Sequence, residues 1–120
     1  MADTLILNQV AGTWALWVRT RIDPATATYT AVFTPSGTDP SQGTVTVQVG
    51  PASYSGPWKQ KEDWLDEDEN VSFSLQDPSG SGDELHFSGH LVGAAMGGTT
   101  RHKLNPLFGA WAASKTSDGD

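Results

Sequence analysis

The chain has 120 residues, the length of one domain, with seven basic against fourteen acidic side chains and no cysteine. Zero cysteine excludes a disulfide framework, a thiolate metal site and a cysteine nucleophile. A net charge of −7 argues against a nucleic-acid partner, and no run approaches the roughly 18 apolar residues of a membrane-spanning helix.

The opening MADTLILNQV lacks a basic start, a long apolar core and a small-residue cleavage site, so it does not read as a secretory signal. The expected location is the cytoplasm, unless a leader has been removed. From residue 12 the chain alternates with a period of two, which marks strands. In residues 12–22, Trp14, Leu16, Val18 and Ile22 share one face with Thr20, while Trp17, Arg19 and Arg21 share the other. Tyr29, Ala31 and Phe33 are in phase through 28–34, after which Pro35-Ser36-Gly37 and Asp39-Pro40 read as a loop. Val45, Val47 and Val49 line one face of 43–49, and a fourth strand is expected over about 53–61.

Six of the fourteen acids fall in residues 62–69, a run that reads as a solvated connection with at most a helical turn over 63–70. Asp66, Asp68 and Asn70 alternate like the start of a calcium loop, but Val71 stands where that loop needs glycine and no glutamate closes it. Trp64 and Leu65 in this run either pack on an outer wall or cover a mouth. Beyond it, Val71, Phe73 and Leu75 alternate with serines, and Leu85, Phe87, Gly89 and Leu91 alternate with His86, Ser88 and His90. Residues 94–101 are small and glycine-rich, 107–114 carry Phe108 and Trp111, and 115–120 read as a polar tail.

About eight short strands with mostly short connections predict an all-β chain, a single eight-stranded antiparallel up-and-down barrel over residues 1–120. Closure removes the exposed edges that such segments otherwise offer. The same spacing also suits a two-sheet sandwich. Glycines at 89, 93, 97 and 98 mark bends or close backbone approaches of the kind a tightly curved sheet needs.

Three segments repeat a Gly-x-Trp pattern: Gly12-Thr13-Trp14, Gly56-Pro57-Trp58 and Gly109-Ala110-Trp111. In a barrel the first and last strands are neighbours, which puts Trp14 and Trp111 on paired strands near one end, where large rings plug the floor. With FSGHLVGAAMGG late in the chain and GAWAASK on the final strand, Gly12-Thr13-Trp14 resembles the motif of the calycin superfamily, the lipocalins and avidins. The short chain without a final helix is more similar to the avidin-sized barrels. The resemblance implies an interior ligand cavity without naming the ligand. It also implies a basic residue late in the last strand packed on the motif tryptophan, for which Lys115 is the candidate. Avidins place an asparagine two residues after that tryptophan to hold biotin; Leu16 stands there in this chain, so biotin is not the implied ligand.

The candidate ligand-binding residues are those of the expected inward face: Trp14, Leu16, Val18, Tyr29, Phe33, Val47, Trp58, Phe73, Phe87, Met96 and Trp111, with Tyr29 and the indole N–H groups orienting the guest. The same side chains would also fill a barrel that holds nothing. His86 and His90 lie about 13 Å apart on an outer face and cannot share one metal ion; His102, in the basic run RHK, reads as exposed. No metal spacing and no nucleophile elbow is present, and no cofactor is expected. Trp17 beside Arg19 and Arg21 is either an ordinary outer face or an interface patch, including one for self-association; with the facing reversed, the arginines would hold an anion inside.

The leading functional expectation is non-catalytic binding of a small apolar or aromatic molecule in the barrel. The alternatives are a cyclase or isomerase that shapes a flexible substrate against aromatic walls, and a protein-interaction module. None of these calls for a nucleic-acid or membrane partner.

Overall fold

The computed structural model describes residues 9–19, 27–61, 70–77, 82–104 and 108–117. Among them, regular structure is entirely β: β1 (Gly12–Arg19), β2 (Ala27–Ser36), β3 (Asp39–Val49), β4 (Ala52–Gln60), β5 (Val71–Gln76), β6 (Glu84–Val92), β7 (Ala95–His102) and β8 (Phe108–Ser117). Each strand pairs antiparallel with its sequence neighbours, and β8 pairs back with β1, so the sheet closes into an up-and-down barrel rather than a sandwich. Closure runs from Thr13 opposite Ser117 to Arg19 opposite Ala110, with one register shift between Thr13 and Trp14.

The alternation seen in the sequence sets the facing. Trp14, Leu16 and Val18 are buried inside, whereas Trp17 is 37% exposed and Arg19 lies outside. The reversed facing, with Arg19 in the interior, is therefore excluded; Arg21 lies outside the described residues, as does the run 62–69 with Trp64, Leu65 and the expected helical turn. The expected loop after Phe33 is instead a tight hairpin. β2 and β3 continue through Pro35 and from Asp39, a register shift after Pro35 absorbs the irregularity, and Gly37 turns the chain at φ +57°. A glycine adopts that left-handed conformation without the Cβ clash that other residues meet.

β8 also runs further than expected. Lys115 is 5% exposed and its strand extends to Ser117, so the polar tail does not begin at Lys115. The reason is phase: Trp111, Ala113 and Lys115 occupy alternate, inward positions.

The two ends of the barrel differ. The turn at 37–38, the connection leaving Lys61 and returning at Asn70, the turn at 93–94 and residues 9–11 lie at one end, the floor. The other end, the mouth, carries the 50–51 turn, the ends of β1, β5 and β7 and the starts of β2, β6 and β8. Near the floor, Asn70 is buried and clamps β6: its Oδ1 accepts from Leu91 N at 2.7 Å and its Nδ2 donates to Leu91 O at 3.2 Å. That carboxamide oxygen serves the backbone rather than a cation loop.

Aromatic rings fill the barrel from the floor upward. Trp14, Phe33 and Trp58 meet edge to face at 6.1–6.4 Å between centroids. Phe73 links this group to the next, 5.1 Å from Phe33 and stacked on Phe87 at 4.4 Å, with Trp111 edge-on to both. Glycines stand across from large rings, Gly43 opposite Trp58 and Gly98 opposite Trp111. At Gly89 and Gly98 the backbones themselves meet: a Cβ on Gly89 would sit 1.9 Å from Gly97 O, and one on Gly98 would sit 2.1 Å from Ser88 O. The glycine-rich stretch of β7 thus serves close strand approach.

Candidate functional site

All eleven residues expected to line the interior face inward. Ten are at most 5% exposed and Tyr29 is half-buried, packed against the core. They pack largely on one another, and three indole N–H groups are already engaged by backbone carbonyls. Trp14 Nε1 donates to Val10 O at 2.8 Å, Trp58 Nε1 to Thr34 O at 3.2 Å, and Trp111 Nε1 to Ser88 O at 3.1 Å. These tryptophans therefore offer wall rather than hydrogen bonds to a guest. Trp14 and Trp111 are on paired strands but not side by side: Trp14 lies opposite Lys115 near the floor, and Trp111 lies opposite Val18, four residues further toward the mouth.

The polar chemistry of the interior comes from residues that strand reading placed elsewhere. His102 is not an exposed loop residue. It ends β7 in phase with Met96, Gly98 and Thr100, lies opposite the buried Leu85, and is 1% exposed. Its Nε2 meets Asp77 Oδ2 at 3.0 Å, and both side chains are buried. A carboxylate only accepts, so His102 Nε2 carries a proton and donates it to Asp77. Among the described residues, neither His102 Nδ1 nor the buried Thr100 Oγ1, two residues earlier on the same face, has a hydrogen-bond partner. Thr100 stands between Phe87 on β6 and Gly109 on β8, which adds no side chain.

The surrounding backbone holds this pair in place. Asp77 N donates to Asp83 O at 2.8 Å, and Asp83 Oδ1 accepts from Glu84 N and Leu104 N. The ends of β5 and β7 and the start of β6 are thereby tied together at the mouth, under the rim where Asp77 and His102 meet. Buried polar groups are rarely left without partners. Two such atoms on one inward face, beside Phe87, make this the part of the barrel with unmet chemistry.

His86 and His90 lie on the outer face as their alternation required; His86 Nε2 is 3.5 Å from Glu84 Oε1. Among the described residues, no three His, Asp or Glu side chains gather as a metal site. No helix is long and apolar enough to cross a membrane. No protein-family model, curated protein or solved structure matches the chain.

Proposed function

We propose that the barrel binds a small, mainly apolar, ring-containing molecule that carries one hydrogen-bonding group, held toward the mouth above the packed aromatic core. The observation that carries this reading is the buried pair of unpartnered atoms, His102 Nδ1 and Thr100 Oγ1. A guest hydroxyl would donate to Nδ1 and accept from the threonine, restoring about 1–3 kcal/mol that an unsatisfied buried group otherwise costs. Ring burial would add about 25 cal/mol per Å². Val18, Tyr29 and Trp111 are the expected wall residues on this side.

The reading agrees with calycin kinship. The Gly12-Thr13-Trp14 motif has its basic partner, with Lys115 Nζ 5.9 Å from the Trp14 ring centroid. Leu16 is buried in the core, which keeps biotin an unsuitable guest.

One observation favours a second reading, an isomerase or cyclase. Asp77 accepts from His102 Nε2 and fixes the ring with its other nitrogen, Nδ1, unpartnered, the arrangement of a positioned general base. A substrate proton within reach of Nδ1 would then be transferred rather than merely hydrogen-bonded.

Native mass spectrometry of the purified chain, with denaturing extraction alongside, tests the first reading. A stoichiometric small-molecule adduct, lost in Thr100→Val or His102→Leu chains that still melt cooperatively, is the expected result. A bare chain that also fails to take up an anilinonaphthalene probe at stoichiometry would overturn it. Conversion of an extracted molecule to an isomer by the native chain, but not by His102→Gln, would move the assignment to the second reading.

A further inference from the structure

The outer wall over β4 to β7 carries a groove of about 930 Å³ that interior binding leaves unused. Its floor is made of hydroxyls. The register sets Lys59, Ser72, Ser88 and Thr99 in one row across four strands, and Ser74, His86 and Arg101 in the next. Lys59, Lys61 and Arg101 stand exposed around it. Among the described lining residues none is Asp or Glu. Beside the groove, Glu84 pairs with His86 at 3.5 Å and with Lys103 at 3.7 Å. Among the described residues no ion pair engages Lys59, Lys61 or Arg101. In a chain of net charge −7, three of the seven Lys and Arg residues thus surround one serine-floored depression.

We propose that this groove is a binding site for an extended acidic peptide. Lys59 on β4 and Arg101 on β7 are three strand spacings apart, about 14 Å, and two residues, about 7 Å, apart along the strands, a span of roughly five residues of extended chain. Carboxylates at either end of such a segment meet the cations, and Arg101 can grip one with two parallel N–H donors. Between them, serine and threonine hydroxyls both donate and accept, as peptide N–H and C=O groups require. The rings of Trp58, Phe73 and Phe87 are buried in the barrel, and among the described lining residues His86 alone presents a partly exposed ring. The row of hydroxyls between the cations favours a peptide backbone over a stacked base or sugar.

Fluorescence anisotropy with labelled hexaglutamate tests the assignment. Saturable binding is expected, weakening with salt and falling roughly tenfold in the Lys59→Gln/Arg101→Gln chain, whose melting stays unchanged because both side chains are exposed. The residues 62–69 join Lys61 to Asn70 and carry six carboxylates. The titration is therefore repeated with those six changed to amides, where the same loss is expected. Absence of saturable binding overturns the proposal, as does equal affinity in the double variant in both backgrounds. Inorganic tripolyphosphate binding as tightly as the peptide overturns it too, because charge alone would then be recognised.

Discussion

Lys115 Nζ lies 5.9 Å from the centre of the Trp14 ring and donates to Gln9 O at 3.1 Å, while the indole N–H of Trp14 donates to Val10 O at 2.8 Å. One cation from the last strand and one ring from the first thus fasten the segment that precedes β1 across the floor. The ring receives the cation on its face, and the chain before it receives both polar ends. Val10 N completes the arrangement by donating to Gln60 Oε1 at 2.9 Å, so β4 is joined to the same plug.

Lys115→Met keeps most of the apolar stem but removes the charge. A loss of about 1–3 kcal/mol is expected, from the cation over the ring and one charged hydrogen bond. Urea unfolding measures it. Lys115→Arg should recover most of the loss; equal destabilisation by both would mean that shape alone matters at this position.

Phe73 touches Phe33, Phe87 and Trp111, and so joins the lower and upper ring groups. Phe73→Ala is expected to cost about 3–5 kcal/mol. Phe73→Leu, which keeps most of the volume, should cost clearly less. Thermal melts of the two variants separate a ring network from a simple volume effect.

Gly89 and Gly50 make opposite predictions about alanine. At Gly89 a Cβ meets Gly97 O at 1.9 Å, so backbone must move, and Gly89→Ala is expected to prevent barrel closure or lower the melting midpoint severely. At Gly50 nothing lies within 4 Å and the obstacle is only φ +58°, so Gly50→Ala should cost about 1–2 kcal/mol. Circular dichroism melts of the two chains compare the cost of collision with the cost of conformation.

Asn70 supplies both hydrogen bonds to Leu91 from one side chain. Asn70→Ala leaves a buried N–H and a buried carbonyl open, for an expected loss of about 2–3 kcal/mol. Hydrogen exchange at the Leu91 amide should accelerate before that of amides in mid-strand. Uniform acceleration across β6 would contradict a local clamp.

Thr100→Val distinguishes a waiting site from a flaw in the core. The near-isosteric change removes a buried hydroxyl that has no partner, so the empty protein should gain stability, by up to about 1 kcal/mol. Any bound guest should be lost or weakened. A gain in stability with guest binding unchanged would remove Thr100 from the site.

Strand positions and facing were legible because apolar and polar residues alternate so regularly; the interior candidates all face where their phase put them. The burial of His102 and the place of Lys115 inside the last strand were missed although their phase was available: counting by twos from Met96 and Trp111 reaches both, and only the family resemblance pointed Lys115 at Trp14. Their charged neighbours outweighed the count, since RHK and KTSDGD look like solvated ends. Burial was possible because Asp77 and Trp14 provide each with a partner, and those partners are distant in sequence. The outer groove was illegible for a different reason. Its residues come one or two at a time from several strands, and only the register brings Lys59 and Arg101 to the same wall.

The pairing of β1 with β8 has a consequence for how the molecule comes into being. A chain emerging from the ribosome can form each successive hairpin as its strands appear, but the seam cannot close until β8, Phe108–Ser117, has emerged. Until then β1 and β7 are open edges, available to any other extended chain. Bringing together ends nearly one hundred residues apart also carries the largest loop-closure entropy of any contact in the fold. The final strand is therefore the step at which protection from aggregation and completion of the interior coincide.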